Sequence, residues 1–197
     1  MTSKQIFILE TAQLMFAKHG IKAVTMDDII CECGISKRTL YMYFPSKHSL
    51  IVKIVESLLT KVEQAFKICP LVSPSAIIEL QTFFEEIQKY FAKLTTSFLK
   101  DSRVYFLEAY QMLISFLDSK LLPYIAQNIA RGKSEYLYRQ ELDITASAEL
   151  YVWMLKNLLN DSFLQNECNR SDFIKGLNNF FLKGLLNTYG QKMAIGI

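Results

Sequence analysis

The sequence predicts an all-α protein of about nine helices, a small N-terminal domain followed by a larger one. Three observations carry this. Among 197 residues only 7 are glycine and 4 proline, so long helices can run uninterrupted and a turn-rich β fold is disfavoured. Hydrophobic residues make up 51% and charged residues 21%, which supports a substantial core and excludes a disordered chain. Apolar residues recur at steps of three and four along most of the chain.

Ile8, Leu9, Ala12, Met15 and Phe16 share one face of a first helix, which Gly20 ends by taking a cap conformation that costs glycine little. Thr25 is placed as an N-cap, with Asp28 three residues on in a capping-box arrangement. It opens a short helix through Ile29, Ile30 and Cys33, broken by Gly34. Ser36 caps a third helix, Lys37 to Phe44, which Pro45 stops because it lacks an N–H and restrains its predecessor. Ser46 caps a fourth helix over about 47–66, and Cys69, Pro70, Ser73 and Pro74 mark a linker-like stretch. Ile77, Leu80, Phe84, Ile87, Phe91, Leu94 and Phe98 predict one long helix, with Asp101-Ser102 as punctuation. Val104 to Leu117, apolar on nearly every side, reads as a buried helix. Another helix covers Leu121 to Tyr136, with Pro123 in its first turn. After a loop and cap at Leu142-Asp143-Ile144-Thr145, two final helices span about 146–165 and 171–189.

The net charge of +3 is small, but it is not evenly spread. Residues 1–61 hold eight cationic and five acidic side chains, so the whole excess lies at the N-terminal end, where a phosphate-binding surface would need it. Cys31, Cys33, Cys69 and Cys168 show no repeating spacing and read as reduced thiols of a cytoplasmic protein. The start, Met1-Thr2-Ser3-Lys4-Gln5, has no apolar signal core, and no run of 18 apolar residues occurs, so no membrane association is expected. The two histidines, His19 and His48, both fall in the N-terminal part, and no Ser-His-Asp set or glycine-rich phosphate loop can be assembled, so an enzyme is not expected. Cys31 and Cys33 project about 200° apart on a helix and cannot share one metal ion. No metal and no cofactor are expected.

Thr25 to Leu50 is the informative stretch. Two short helices joined by a glycine-containing turn form the helix-turn-helix pattern, in which the second helix enters the major groove. On that second helix Leu40 and Phe44 share the inward face, while Arg38 and Met42 point away and Thr39 and Tyr41 flank them. Lys37 sits nearer the inward face, at the exposed first turn. Arginine can pair with guanine O6 and N7, and threonine or tyrosine can touch a thymine methyl. Ser36, Thr25, Lys47 and His48 stand where phosphates could be held.

Residues 8–50 resemble the TetR-family DNA-binding domain. The matching pieces are Ile8-Leu9-Glu10-Thr11-Ala12 with Phe16 and Gly20, Thr25-Met26-Asp27-Asp28-Ile29, Gly34 to Phe44, and Ser46-Lys47 with Leu50. The resemblance implies phosphate contacts at Thr25, Ser36, Tyr43 and Lys47, and base or flanking contacts at Lys37, Arg38, Thr39 and Tyr41. Two positions depart from the pattern: Arg38 stands where many members carry a small residue, and Ile30 where alanine is usual. The resemblance fades beyond about residue 60. It implies a repressor that binds a pseudo-palindromic double-stranded site as a homodimer and is released by a small-molecule inducer. The expected domains are 1–47, the helix-turn-helix, with helix four at about 47–66 as connector, and 48–197, for ligand sensing and dimerisation.

Aromatic side chains crowd the helices after residue 75. Phe84, Phe91, Phe106, Tyr110, Tyr151 and Trp153 are the expected lining of a cavity for an apolar or aromatic ligand, whose filling would tilt helix four. Tyr151, Leu155, Leu158, Phe173, Leu177 and Phe181 on the last two helices are the expected dimer interface. Two other readings stay open: a helical small-molecule-binding protein that no longer serves DNA, and a protein-recruiting factor with a fully packed core and no ligand.

Overall fold

The computed structural model describes residues 2–91, 94–159 and 170–195. Apart from one isolated bridge between Tyr138 and Leu186, every regular element among them is helical. The elements are α1 (Ser3–His19), α2 (Met26–Cys33), α3 (Lys37–Tyr43), α4 (Lys47–Val72), α5 (Ala76–Phe91), α6 (Thr96–Tyr105), α7 (Leu107–Phe116), a π-helical turn (Leu117–Leu121), α8 (Leu122–Ser134), α9 (Ile144–Leu159), α10 (Arg170–Leu185) and α11 (Thr188–Ile195). No helix among the described residues is long and apolar enough to cross a membrane.

The all-α class matches the expectation, but several boundaries do not. Helix α4 runs on through Cys69 and Pro70 to Val72. Proline is tolerated there because only the last turn follows it, and Ser73 N–H still reaches Cys69 O at 3.2 Å. The expected long helix stops at Phe91, and a new one starts where Thr95 caps α6 by accepting the Phe98 N–H at 3.2 Å. Leu94 and Phe98 are both buried, so the apolar period runs through a break in the backbone. Asp101 and Ser102 lie inside α6, where the Ser102 hydroxyl donates to Phe98 O at 2.7 Å. Val104, Tyr105 and Leu107 are exposed, so the stretch expected to be buried is only partly so. The π turn precedes Pro123, with the Leu122 N–H reaching back to Leu117 O. The last expected helix is two, α10 and α11. Residues 160–165 of the helix expected at 146–165, and Cys168, lie outside the described residues.

The chain forms two compact units, Met1–Thr60 with Lys93–Leu113, and Lys61–Ala92 with Ile114–Ile197. This division does not coincide with the expected one at residues 47 and 48. Two contacts explain why α6 joins the first unit. Asp101 accepts the Lys22 backbone N–H at 2.9 Å. Gly20, at φ +81°, lies so close to Ser97 that a Cβ would stand 2.7 Å from its Oγ. In the same unit His48 Nε2 and Glu108 Oε2 lie 2.6 Å apart, tying the start of α4 to α7.

The second unit is held by a polar clip and an aromatic core. Arg131 donates to Glu79 at 2.7 Å, to Glu135 at 2.6 Å and to Ser73 O at 3.0 Å, and Glu135 accepts the Ala76 N–H at 2.7 Å. Asn128 Nδ2 donates to Ala76 O at 3.0 Å, and the Tyr138 hydroxyl lies 3.0 Å from Asn128 Oδ1. Gly132 admits the Tyr138 ring, which a Cβ would meet at 2.2 Å. Phe66, Phe83, Phe116 and Tyr124 form one ring cluster, with Tyr124 centroids 4.7 Å from Phe66 and 4.5 Å from Phe83.

Candidate nucleic-acid interface

Helices α2 and α3 are set by their ends. Thr25 Oγ1 accepts the Asp28 N–H at 3.1 Å, while the Asp28 carboxylate accepts the Thr25 N–H and hydroxyl, both at 2.7 Å. Those bonds hold the Asp28 carboxyl below its ordinary range, the backbone bond contributing most. Gly34 then takes the left-handed conformation at φ 61° and turns the chain. Ser36 caps α3, accepting the Thr39 N–H at 3.2 Å, and its hydroxyl lies 2.9 Å from that of Thr39. Phe44 N–H closes the helix on Leu40 O at 2.8 Å, and Leu40 and Phe44 are both buried.

The inward anchoring leaves an outward surface. Lys37, Arg38, Tyr41 and Met42 are exposed, and Thr39 and Tyr43 are half-buried. Lys37 is not a bare charge: its ammonium stands 3.1 Å from Asp27 and 5.9 Å from the centre of the Tyr41 ring. The Asp27 hydrogen bond raises its pKa. The outward surface of α3 is therefore partly ordered by its own contacts. The first turn of α4 borders it. Ser46 and Ser49 cap each other, with backbone-to-hydroxyl bonds of 3.0 and 3.1 Å. Lys47 is half-buried with its ammonium 5.9 Å from the centre of the Phe16 ring, and desolvation lowers its pKa against the opposing pull of Asp101 and Asp28. Thr25 spends its hydroxyl proton on Asp28, so a phosphate at that point would meet an acceptor-rich side chain. The involvement of Asp27 and Asp101 was not foreseen. Asp27 lies ten residues from its partner and Asp101 comes from a helix far along the chain, so neither follows from local periodicity.

Residues 8–54 match the family described as bacterial regulatory proteins, tetR family. The match covers the N-terminal helices alone, and there the chain is similar to the TetR family. Among sequence relatives, an uncharacterised helix-turn-helix transcriptional regulator of Bacillus subtilis, YuxN, is 40% identical over 55 residues. That match spans 28% of this chain and only 19% of the relative's length. The fold likeness is wider. The regulatory protein TetR from Rhodobacter sphaeroides superposes with a TM-score of 0.72 at 16% identity, covering 94% of this chain and 100% of that one. The fatty acid degradation regulator FadR from Bacillus halodurans does so with 0.67 at 15% identity, covering 92% and 96%. All three carry names of regulators.

The remaining expected sites fare unevenly. Of the expected cavity lining, Phe84 and Tyr151 meet, with ring centroids 5.4 Å apart, and Phe91 is buried in the same unit. Phe106 and Tyr110 belong to the first unit, with the Phe106 ring 6.0 Å from that of His48. Trp153 is 62% exposed and lies on the surface among the described residues. The residues expected at a dimer interface differ in exposure. Tyr151, Leu155, Leu158 and Phe181 are buried within their own chain, Leu177 is half-buried, and only Phe173 is exposed. Helices α9 and α10 are apolar on two faces, and periodicity alone does not say which face the core takes. Phe66 and Tyr124, absent from the expected cavity, sit in the main ring cluster.

Proposed function

We propose that the protein is a DNA-binding transcriptional regulator, a repressor that grips a pseudo-palindromic operator as a homodimer and releases it on binding an apolar or aromatic small molecule. The outward surface of α3 carries this reading: a cationic, hydroxylated and aromatic strip on a helix anchored by Leu40 and Phe44. The expected half-site separation is about 34–36 Å or a multiple of it. Arg38 is the base reader, being exposed and at the centre of the strip. In selection from random duplexes, Arg38→Ala should relax the preference at one position per half-site, a loss of about 1–3 kcal/mol against the preferred base. Lys47→Ala should instead weaken all sequences alike and flatten the salt dependence. An unchanged consensus for Arg38→Ala would remove the base-reading role.

The ligand reading rests on polar groups left over in the second unit. Tyr124 and Ser73 are buried, and neither hydroxyl makes a hydrogen bond of good geometry among the described residues, although Tyr124 lies near enough to the Glu79 carboxylate to feel its charge. Burial pushes the Tyr124 hydroxyl pKa well above its ordinary value, so it stays a neutral donor. Amid Phe66, Phe83 and Phe116 it would orient a mostly apolar molecule by a single hydrogen bond. Tyr124→Phe removes an unsatisfied group, so thermal stability should hold or rise slightly, by up to about 1 kcal/mol. Affinity for an inducer recovered from a ligand screen should fall about tenfold.

The homodimer reading rests on the outward faces of α9 and α10. Leu150, Trp153, Phe173 and Phe180 are all exposed there. Gly176 and Gly184 have open space where a side chain would stand, which lets a second helix approach closely. A second copy of the chain covers this surface by two-fold pairing.

A further inference from the structure

In the second unit α5 and α10 border an open groove of about 360 Å³. Its walls carry opposite charges: Glu85 on α5 and Lys175 on α10, both exposed. Asn178 and Asn179 continue the α10 wall one turn beyond Lys175, and Ile78, Phe84 and Leu182 supply apolar surface. Asn178 is only 4% exposed. Its Oδ1 accepts the Tyr151 hydroxyl at 2.9 Å, which fixes the side chain at the groove wall.

We propose that this groove binds a small zwitterion, an aminocarboxylic acid with an apolar side chain. Its carboxylate meets Lys175 and the amides of Asn178 and Asn179, and its ammonium meets Glu85 on the facing wall. Its side chain lies on Ile78, Phe84 and Leu182. A simple anion would leave Glu85 opposed to it, and a simple cation would face Lys175, so the charge pair selects a molecule bearing both signs. At about 100° per residue, Lys175, Asn178 and Leu182 fall on the side of α10 opposite Phe173, Leu177 and Phe180. Self-association through the latter face leaves the groove open. The site is separate from the Tyr124 cluster, and it touches the core through Phe84 and Tyr151, whose rings stack.

The test needs only the full chain and no DNA, so its outcome is independent of the regulatory reading. L-phenylalanine and L-leucine are titrated calorimetrically, beside 3-phenylpropanoate, which lacks the ammonium, and 2-phenylethylamine, which lacks the carboxylate. One saturable site is expected for at least one of the two amino acids, with each single-charge analogue binding phenylalanine's site about tenfold or more weakly. Lys175→Met and Glu85→Gln should each weaken amino-acid binding by about tenfold or more at an unchanged melting temperature, because both side chains are exposed. The proposal is overturned if neither amino acid binds saturably, if the analogues bind as well, or if both variants keep full affinity.

Discussion

Trp153→Asp is expected to convert the protein to a monomer and abolish binding to a palindromic site. Trp153 is 62% exposed on α9, and Phe180, 72% exposed on α10, stands on the outward side with it. Aromatic groups of this size are the usual anchors of an interface, and a charge placed there must be desolvated in the dimer. A monomer grips one half-site only and loses the gain of simultaneous engagement, about 10²–10⁴-fold. The helical content and melting transition of the monomer should survive, because Trp153 is mostly exposed among the described residues. Phe181→Asp provides the contrast. Phe181 is buried, with its ring 4.7 Å from that of Tyr151, so that variant should lose its fold and not merely its partner. Sedimentation of both variants beside their circular dichroism separates the two outcomes. A dimeric Trp153→Asp would remove the proposed interface.

Arg131→Met should be the most damaging change outside the apolar core. The guanidinium joins Glu79, Glu135 and the Ser73 carbonyl, and so ties the C-terminal part of α8 to the start of α5. The Glu79 side chain is 4% exposed, while that of Arg131 is 29% exposed. Losing the cation leaves Glu79 buried without its counter-charge. Broken buried pairs cost about 3–5 kcal/mol, and the partial exposure of Arg131 reduces the expectation to about 2–4 kcal/mol. Urea unfolding measures it. Adding Glu79→Gln should recover part of the loss, since the neutral amide no longer demands a counter-ion. A double variant as unstable as Arg131→Met alone would show that packing of the arginine stem, not charge, dominates.

The N-terminal region was legible because its signals are local. Thr25, Gly34, Ser36 and Pro45 fix the ends of α2 and α3 through their own backbone chemistry, and the Leu40–Phe44 spacing fixes which side of α3 faces in. The outward placement of Arg38 and Tyr41 follows from that spacing. Beyond residue 60 the sequence offered apolar period without direction. Helix α5 has a single apolar face, which its period shows as far as Phe91, but the break before Thr96 leaves no mark in that period because Leu94 and Phe98 stay buried on either side of the Thr95 cap.

By itself, then, the amino-acid sequence determined the helical class, the caps and turns of the N-terminal helices, and the composition of the outward surface of α3, all properties of residues within a few positions of one another. The tertiary structure decided what depends on distant partners. It placed α6 in the first unit through the Asp101–Lys22 bond, paired Lys37 with Asp27, and gave Glu79 to Arg131, 52 residues away. It also chose, for α9 and α10, the face that holds Tyr151 and Phe181 as core and left Trp153 and Phe180 outside. Both faces are apolar enough to be buried, so the free energy of burial alone does not discriminate between them. The choice falls to shape, in the stacking of Phe84, Tyr151 and Phe181, and to the one hydrogen bond that the buried Tyr151 hydroxyl finds at Asn178.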